Sequence, residues 1–486
     1  MPEALAEYLY AANTSWAGLL PSGPARLLLL AEAPEIHANV WKERGYEVWQ
    51  GALNQPGDCV QHRTDTRHEV YQVEISGAEA DASGFHAALV LDLSPRVHPL
   101  ALFDQLAHWL VDDATVVLAG RSDVEPSPRM RNWLDYVVAI GTRCGFTEEE
   151  CADHETGLDA NRSFVRVLRR TTVPRWQLRH VRREDFGGIS TLFQEVFGHP
   201  LSRELWNWKY GQGRGNAVVA ARHGVLIAHY GGMYREVLLR GKPDWVFQIC
   251  DVMVHPKERG VMTRQGPFLL TAATSAEIYG PLGFGFPNSR AMLVAEKMGL
   301  YSEVGQMVSV RWEPSEPGYR WRTRARALVR HDPADQARVE TLWRSMAHDL
   351  REDVVGVRDW QYLENRYFSH PHNQYELLLV TSRLTARPLG VVVLRRVDGS
   401  CELLDVVAPL ANIPLLIDQA RRVTGLWGLA SVYCWITKNQ VQHFSGCDGK
   451  EEALNISIPT SCWTDDPRAD VFKDRWWLMS GDTDFR

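Results

Sequence analysis

Residues Trp245–Val254 read WVFQICDVMV, an apolar run that stops at His255-Pro256. Its aromatic and β-branched side chains suit a pleated, half-buried surface, so a strand is predicted here. KERGVMTRQGP (257–267) follows as a short basic turn containing glycine. FLLTAATSAEIYG (268–280) then reads as a helix and PLGFGFP (281–287) as a second buried strand. NSRAMLVAEKMGLY (288–301) closes the segment with a helix capped by Asn288 and stopped by Gly299. Strand, basic turn, helix, strand, capped helix is the arrangement of an anion site. The free N–H groups and the dipole of a helix N-terminus both favour a phosphate.

On these residues the chain resembles the GNAT acyltransferase superfamily, which uses acetyl-CoA or a related acyl-CoA. The resemblance implies that the fourth strand, the turn after it and the next helix cradle the CoA pyrophosphate. The implied cofactor-binding set is Val252, Val254, Arg259, Gly260, Val261, Thr263, Arg264 and Asn288, which opens the N-x-x-A pattern Asn288-Ser289-Arg290-Ala291. Two departures stand out. The family turn Q/R-x-x-G-x-G/A is shortened here to Arg259-Gly260-Val261-Met262-Thr263-Arg264, with one glycine. The tyrosine that often serves as general acid, seven residues after the motif asparagine, is Ala295.

Acyl transfer from a thioester to an amine needs a base, a donor for the developing oxyanion and an acid for the leaving thiolate. Asp251, on the fourth strand, either serves as the base, directly or through water, or pairs with Arg259 or Arg264. His255 is the second candidate base; the alternative is that His-Pro shapes the turn. Tyr301, just beyond the capped helix, is the candidate acid in place of the missing tyrosine. Strict strand alternation would point Cys250 away from Asp251, which argues against covalent catalysis.

The chain has 486 residues, 45% hydrophobic and 23% charged, an ordinary globular composition with room for about three domains. The expected division is 1–170, 175–313 and 330–486. The resulting fold class is α/β: an N-terminal doubly wound, Rossmann-like domain followed by two GNAT-like α+β domains. A net charge of −7 argues against a general nucleic-acid binder. No apolar run is long enough to span a membrane, and the acidic N-terminus lacks a secretory n-region, so a cytoplasmic location is expected. The eight cysteines (59, 144, 151, 250, 401, 434, 447, 462) show no zinc-type spacing, so free thiols and no metal are expected.

Over residues 1–170, strands at 26–30, 85–93 and 114–119 alternate with helices at 34–45, 99–111 and 132–144, a pattern of parallel βαβ units. HAALVLDLSPRVHPLALFDQLAHWLVDDATVVLAG (86–120) resembles the middle strand, helix and next strand of class I S-adenosylmethionine-dependent methyltransferases. Their glycine-rich cofactor turn is replaced by Ala31-Glu32-Ala33-Pro34-Glu35. Glu32 could hold a ribose, but a Cβ at each position obstructs backbone approach, and S-adenosylmethionine binding is not expected.

After TTVPRWQL (171–178), a linker, strands 217–222 and 225–230 form a hairpin turned at His223-Gly224. Trp206–Tyr210 is either helix core or part of an acceptor pocket. Pro314, Pro317 and the arginines 320, 322, 324, 326 and 330 read as an interdomain linker or helix. The last third resembles the second. Asp359-Trp360 through Arg366-Tyr367-Phe368 parallels Trp206–Tyr210, and strands 375–381 and 389–395 parallel the first hairpin. VVAPLANIP (406–414) has no basic residue or glycine, so this second copy reads as structural or substrate-shaping. The expected activity is acyl-CoA-dependent N-acyl transfer, acetyl first, to a small-molecule or carrier-bound amine. The alternative is a non-catalytic module in a biosynthetic pathway.

Overall fold

The computed structural model describes residues 17–31, 34–52, 84–93, 97–120, 128–149, 165–171, 173–259, 266–279, 283–315, 322–444, 448–464 and 469–485. They fall into two compact units. The first is Met1–Gly198, Ala217–His229 and Met253–Tyr279; the second is His199–Asn216, Tyr230–Val252 and Gly280–Arg486.

In the first unit, strands β1 (Arg26–Ala31), β2 (Glu47–Ala52), β3 (Phe85–Leu93), β4 (Leu110–Gly120), β5 (Phe146–Glu149) and β6 (Val165–Arg170) form one sheet of order β2-β1-β3-β4-β6-β5. β2, β1, β3 and β4 are mutually parallel, and β6 runs antiparallel between β4 and β5. Successive residues of β1 serve opposite faces. Leu28 and Leu30 join the cluster that takes in Phe103, Leu106 and Val137, while Leu27 and Leu29 join Ala38 and Trp41. Helices 99–109 and 128–143 therefore cover one face and helix 34–43 the other, which is why the strands read as continuous apolar runs. β5, a four-residue strand, was not foreseen, since two of its residues are exposed and its pattern carries no apolar period. The Glu32 reading lies outside the described residues.

β7 (Gln177–His180) pairs with β8 (Gly215–Arg222), and β8 turns into β9 (Val225–Leu239). His223 and Gly224 both have positive φ, 50° and 78°, as a two-residue hairpin turn requires.

In the second unit, β9 pairs with β10 (Lys242–Val254), and β10 pairs in parallel with β11 (Gly283–Phe284). The contact is close: a Cβ on Gly283 would lie 2.7 Å from the Phe247 carbonyl oxygen, so only glycine fits. β12 (Tyr301–Trp312) leaves this sheet and sits antiparallel between β18 (Val432–Thr437) and β19 (Lys450–Ser461). The rest of that second sheet is β13 (Thr323–Ala327), β15 (Glu376–Ser382), β16 (Pro388–Val397) and β17 (Ser400–Val407). β14 (Val354–Gly356) returns to β9, and the C-terminal β20 (Trp476–Trp477) pairs with β14.

The arginine-rich run is a correction. Its stretch Thr323–Ala327, which holds Arg324 and Arg326, forms β13, an edge strand on β15, instead of a linker or helix. Alternation sends Arg324 and Arg326 outward from the strand, and Arg326 binds the Asp335 carboxylate with both guanidinium nitrogens. Burial would raise the Asp335 pKa, but the Arg326 hydrogen bonds dominate and hold it well below the usual range.

β10–β11 and β17–β18 share one register. Parallel pairing covers Phe247 and Gln248 in the first and Cys401 and Glu402 in the second, in each case starting four residues before an aspartate, Asp251 or Asp405.

Candidate active site

Asp251 interrupts β10. Its φ is +50°, a left-handed conformation that aspartate tolerates better than most residues. Side-chain alternation fails there. As a result the Cys250 Sγ and the Asp251 carboxylate both reach the Tyr210 hydroxyl, at 3.4 and 2.8 Å. The expectation that Cys250 faces away from Asp251 is therefore corrected. Burial nonetheless pushes the Cys250 thiol well above its ordinary pKa, so it stays protonated and a poor nucleophile.

Asp251 finds a cation in Lys209, while Arg264, the other cation weighed for it, lies outside the described residues. Lys209 Nζ donates to Asp251 Oδ1 and to Asp484 Oδ2, both at 2.8 Å, with all three side chains nearly buried. Lys209 and Tyr210 come from the helix Arg203–Tyr210, whose start is set by Ser202 accepting from the Leu205 N–H. Burial alone would lower the Lys209 pKa, but the two carboxylates outweigh it and the ammonium is strongly stabilised. Cys250, Asp251 and Asp484 lie close enough to hold a cation. The ammonium occupies that role.

Tyr301 begins β12, and its hydroxyl is hydrogen-bonded to the Tyr230 hydroxyl. Burial raises both pKa values, so the pair is neutral and retains a phenolic proton to donate. Asn288 caps the helix Ser289–Lys297, its side-chain oxygen accepting from the Ala291 N–H at 2.9 Å. Gly299 follows with φ of 73°, the expected stop. Ala295 is fully buried. Val252 is half-buried on β10.

In the first unit, both ring nitrogens of His255 are engaged. Nδ1 accepts from the Lys257 N–H at 3.2 Å and Nε2 faces Glu195 at 3.0 Å. Arg259 Nε donates to the Val254 carbonyl at 2.9 Å, and Val254 packs against the apolar core. Glu258 anchors this turn by accepting from Arg222, Trp176 and Arg175. Burial would raise its pKa, but those donors hold it below the ordinary value. Gly260, Val261, Thr263 and Arg264 lie outside the described residues.

Tyr230 and Asp484 were not singled out for chemistry by sequence reasoning, and Lys209 and Tyr210 only within Trp206–Tyr210, read as helix core or part of an acceptor pocket. A signal existed for two of them. Counted from the N-caps Ser202 and Asp359, Lys209 aligns with Arg366 and Tyr210 with Tyr367. The Tyr367 hydroxyl donates to Asp405 at 2.9 Å, as that of Tyr210 does to Asp251.

Three comparisons bear on the chain. No curated protein sequence matches it. Among solved structures, similar folds include a conserved protein of unknown function from Enterococcus faecalis V583 described as a probable N-acyltransferase (TM-score 0.44, 13% identity, 58% of this chain and 72% of that one). A GCN5-related N-acetyltransferase from Kribbella flavida gives 0.42 at 17% identity, over 59% and 70%. Saccharomyces cerevisiae N-myristoyltransferase, solved with bound myristoyl-CoA, gives 0.40 at 9% identity, over 60% and 79%. Residues 177–264 match the family model described as "Acetyltransferase (GNAT) domain".

Proposed function

We propose that the protein is an acyl-CoA-dependent N-acyltransferase acting on an amine of a small molecule or a carrier-bound intermediate. The carrying observation is the GNAT-domain match at 177–264, which ends within the basic turn after β10. In this reading the turn Arg259–Arg264 and the helix Pro267–Tyr279 take the CoA phosphates, because a helix N-terminus offers unpaired N–H groups. The helix itself is described, and its buried side chains hold it in place. Val252, Val254 and Asn288 remain the other proposed cofactor contacts. The neutral Tyr301–Tyr230 pair supplies the proton donor for the departing thiolate. Residues 330–486 are a second copy of the same fold, supported by the shared register before Asp251 and Asp405. The N-terminal sheet, four parallel strands with an antiparallel β6 between β4 and β5, is a methyltransferase-like scaffold without cofactor.

One set of observations favours the non-catalytic alternative. Asp251 is held in an ion pair, both nitrogens of His255 are engaged and Ala295 replaces the usual tyrosine. Titrating the full chain calorimetrically with acetyl-CoA, then assaying amine acylation by wild type and Tyr301→Phe, separates the two. The enzymatic reading expects binding, and acylation lowered at least ~100-fold by loss of the acid. Binding without turnover over a broad amine panel supports the module. No binding at millimolar ligand removes both donor and mechanism.

A further inference from the structure

The segment Ser480–Asp484 is deeply engaged, with Ser480, Asp482 and Thr483 buried. Asp482 is buried and accepts from Arg358 Nη2 at 2.5 Å, from Arg235 Nη2 at 3.2 Å and from the Met479 N–H at 2.8 Å. Arg358, itself fully buried, donates through Nε to Asp405 Oδ1 at 2.9 Å. Two residues on, Asp484 binds Lys209, which binds Asp251. Between them the backbone is held as well. Arg366 donates to the Gly481 and Thr483 carbonyls at 2.9 and 3.0 Å, and Gln248 to the Asp482 carbonyl at 2.5 Å.

The two ends of Asp482-Thr483-Asp484 thus reach the two matched aspartates through cations at different positions, Arg358 just before the N-cap Asp359 and Lys209 seven residues after the N-cap Ser202. Asp482 reaches the cation bound to Asp405, and Asp484 reaches the cation bound to Asp251. Those two aspartates sit at the same offset from the parallel pairing of their strands. Both strands are irregular there. Asp251 is left-handed, and the β16–β17 register shifts between Val393 and Leu394, beside Asp405. An irregularity of this kind costs free energy and persists only where its surroundings hold it.

We propose that Asp482-Thr483-Asp484 is a clasp shared by two copies of one strand–helix motif, and that Asp484, acting through Lys209, is a positioning residue for β10 at Asp251. The clasp stands on geometry alone. Its bearing on donor binding rests on the acyl-CoA reading, through the strand that carries Val252. A lysine between two carboxylates fixes the direction of the Asp251 side chain, and with it the peptide planes on either side. Asp482 does the same for the second copy and has no direct charge contact with Asp251.

Hydrogen exchange by mass spectrometry on the full chain reads the two ends separately. Losing a charge-assisted hydrogen bond in the interior should raise local exchange about tenfold or more. Asp484→Asn is expected to do so over 249–253 and to leave 404–407 unchanged; Asp482→Asn is expected to do the reverse. Lys209→Met leaves the tail sequence intact and should open the same stretch as Asp484→Asn, which covers the case that Asp484→Asn does not fold. Asp484→Glu, which keeps the carboxylate, should restore protection; loss of packing alone would not be rescued. Unchanged exchange in both Asp484→Asn and Lys209→Met, or equal rises over both stretches, overturns the clasp. A CoA titration of the same proteins is the second arm. Asp484→Asn should weaken CoA about tenfold and Asp482→Asn less than about twofold. If wild type binds CoA and Asp484→Asn binds equally well, the positioning role is overturned. If wild type does not bind CoA, the acyl-CoA reading fails and the exchange pattern still decides the clasp.

Discussion

Asp251 and Asp405 hold matching places on β10 and β17, yet the chain leaves them in different ways. The path from Asp251 to the helix at Pro267 is twice as long as that from Asp405 to the helix at Ile413, and it carries Lys257, Arg259 and Arg264. The second path, Val406–Asn412, has no basic residue and runs straight into its helix through a 3₁₀ turn. Burial differs too. Arg358, Asp405 and Asp482 are sealed from solvent, whereas Asp484 keeps 12% of its side-chain surface exposed. The same framework can therefore be put to two uses. Around Asp405 it is a core of paired charges; around Asp251 it stands at the head of a long basic turn.

The comparison breaks most readily at Arg358. Arg358→Met leaves Asp405 in the interior without its cation and Asp482 with Arg235 alone, and removing one partner of a buried pair costs about 3–5 kcal/mol. Urea denaturation followed by tryptophan fluorescence should show that loss, with CoA affinity unchanged in the protein that remains folded. A matching loss of CoA affinity would mean that the region around Asp405 is part of the donor site.

A smaller effect is expected at the basic turn after β10, which has no counterpart after β17. Arg264→Ala should weaken CoA roughly 10- to 150-fold, the value of a charged hydrogen bond of about 1.5–3 kcal/mol. Pantetheine, which lacks the phosphates, should bind as before, whereas a folding defect would harm both. Equal CoA binding by Arg264→Ala would leave the two turns alike in function.

The smallest effect concerns the caps. Asn288→Ala removes the side-chain bond to the Ala291 N–H and should cost about 1 kcal/mol, read as a lower Tm. Asn412, at the start of the helix Ile413–Leu426, makes no side-chain cap bond. Its amide donates instead to the Leu389 carbonyl at 2.8 Å, so any cost of Asn412→Ala comes from that contact with β16.

Much of this architecture is local in origin and could be read from residue patterns. The apolar run before Asp251, the cap at Asn288, the stop at Gly299 and the His223-Gly224 turn each arise from chain chemistry within a few residues. In Thr323–Ala327 the charges of Arg324 and Arg326 mask a period of two. One face of β13 pairs with Asp335 and Thr381, so a polar run can still be a strand.

Most strands, β5 and β13 excepted, and the helix ends at Asn288 and Gly299 were legible in the residue pattern, because they depend on side-chain periodicity and backbone preference over short distances. The sequence also contained the aligned pairs Lys209/Tyr210 and Arg366/Tyr367. Only the tertiary structure decided what those pairs bind. Asp484 meets Lys209 across 275 residues and Asp482 meets Arg358 across 124. A buried charge must find an opposite charge wherever the fold provides one, and no local pattern specifies a partner that far away. For the same reason Asp251, which reads in its strand either as a base or as a partner of Arg259 or Arg264, is held by an ammonium and a phenol in the folded chain.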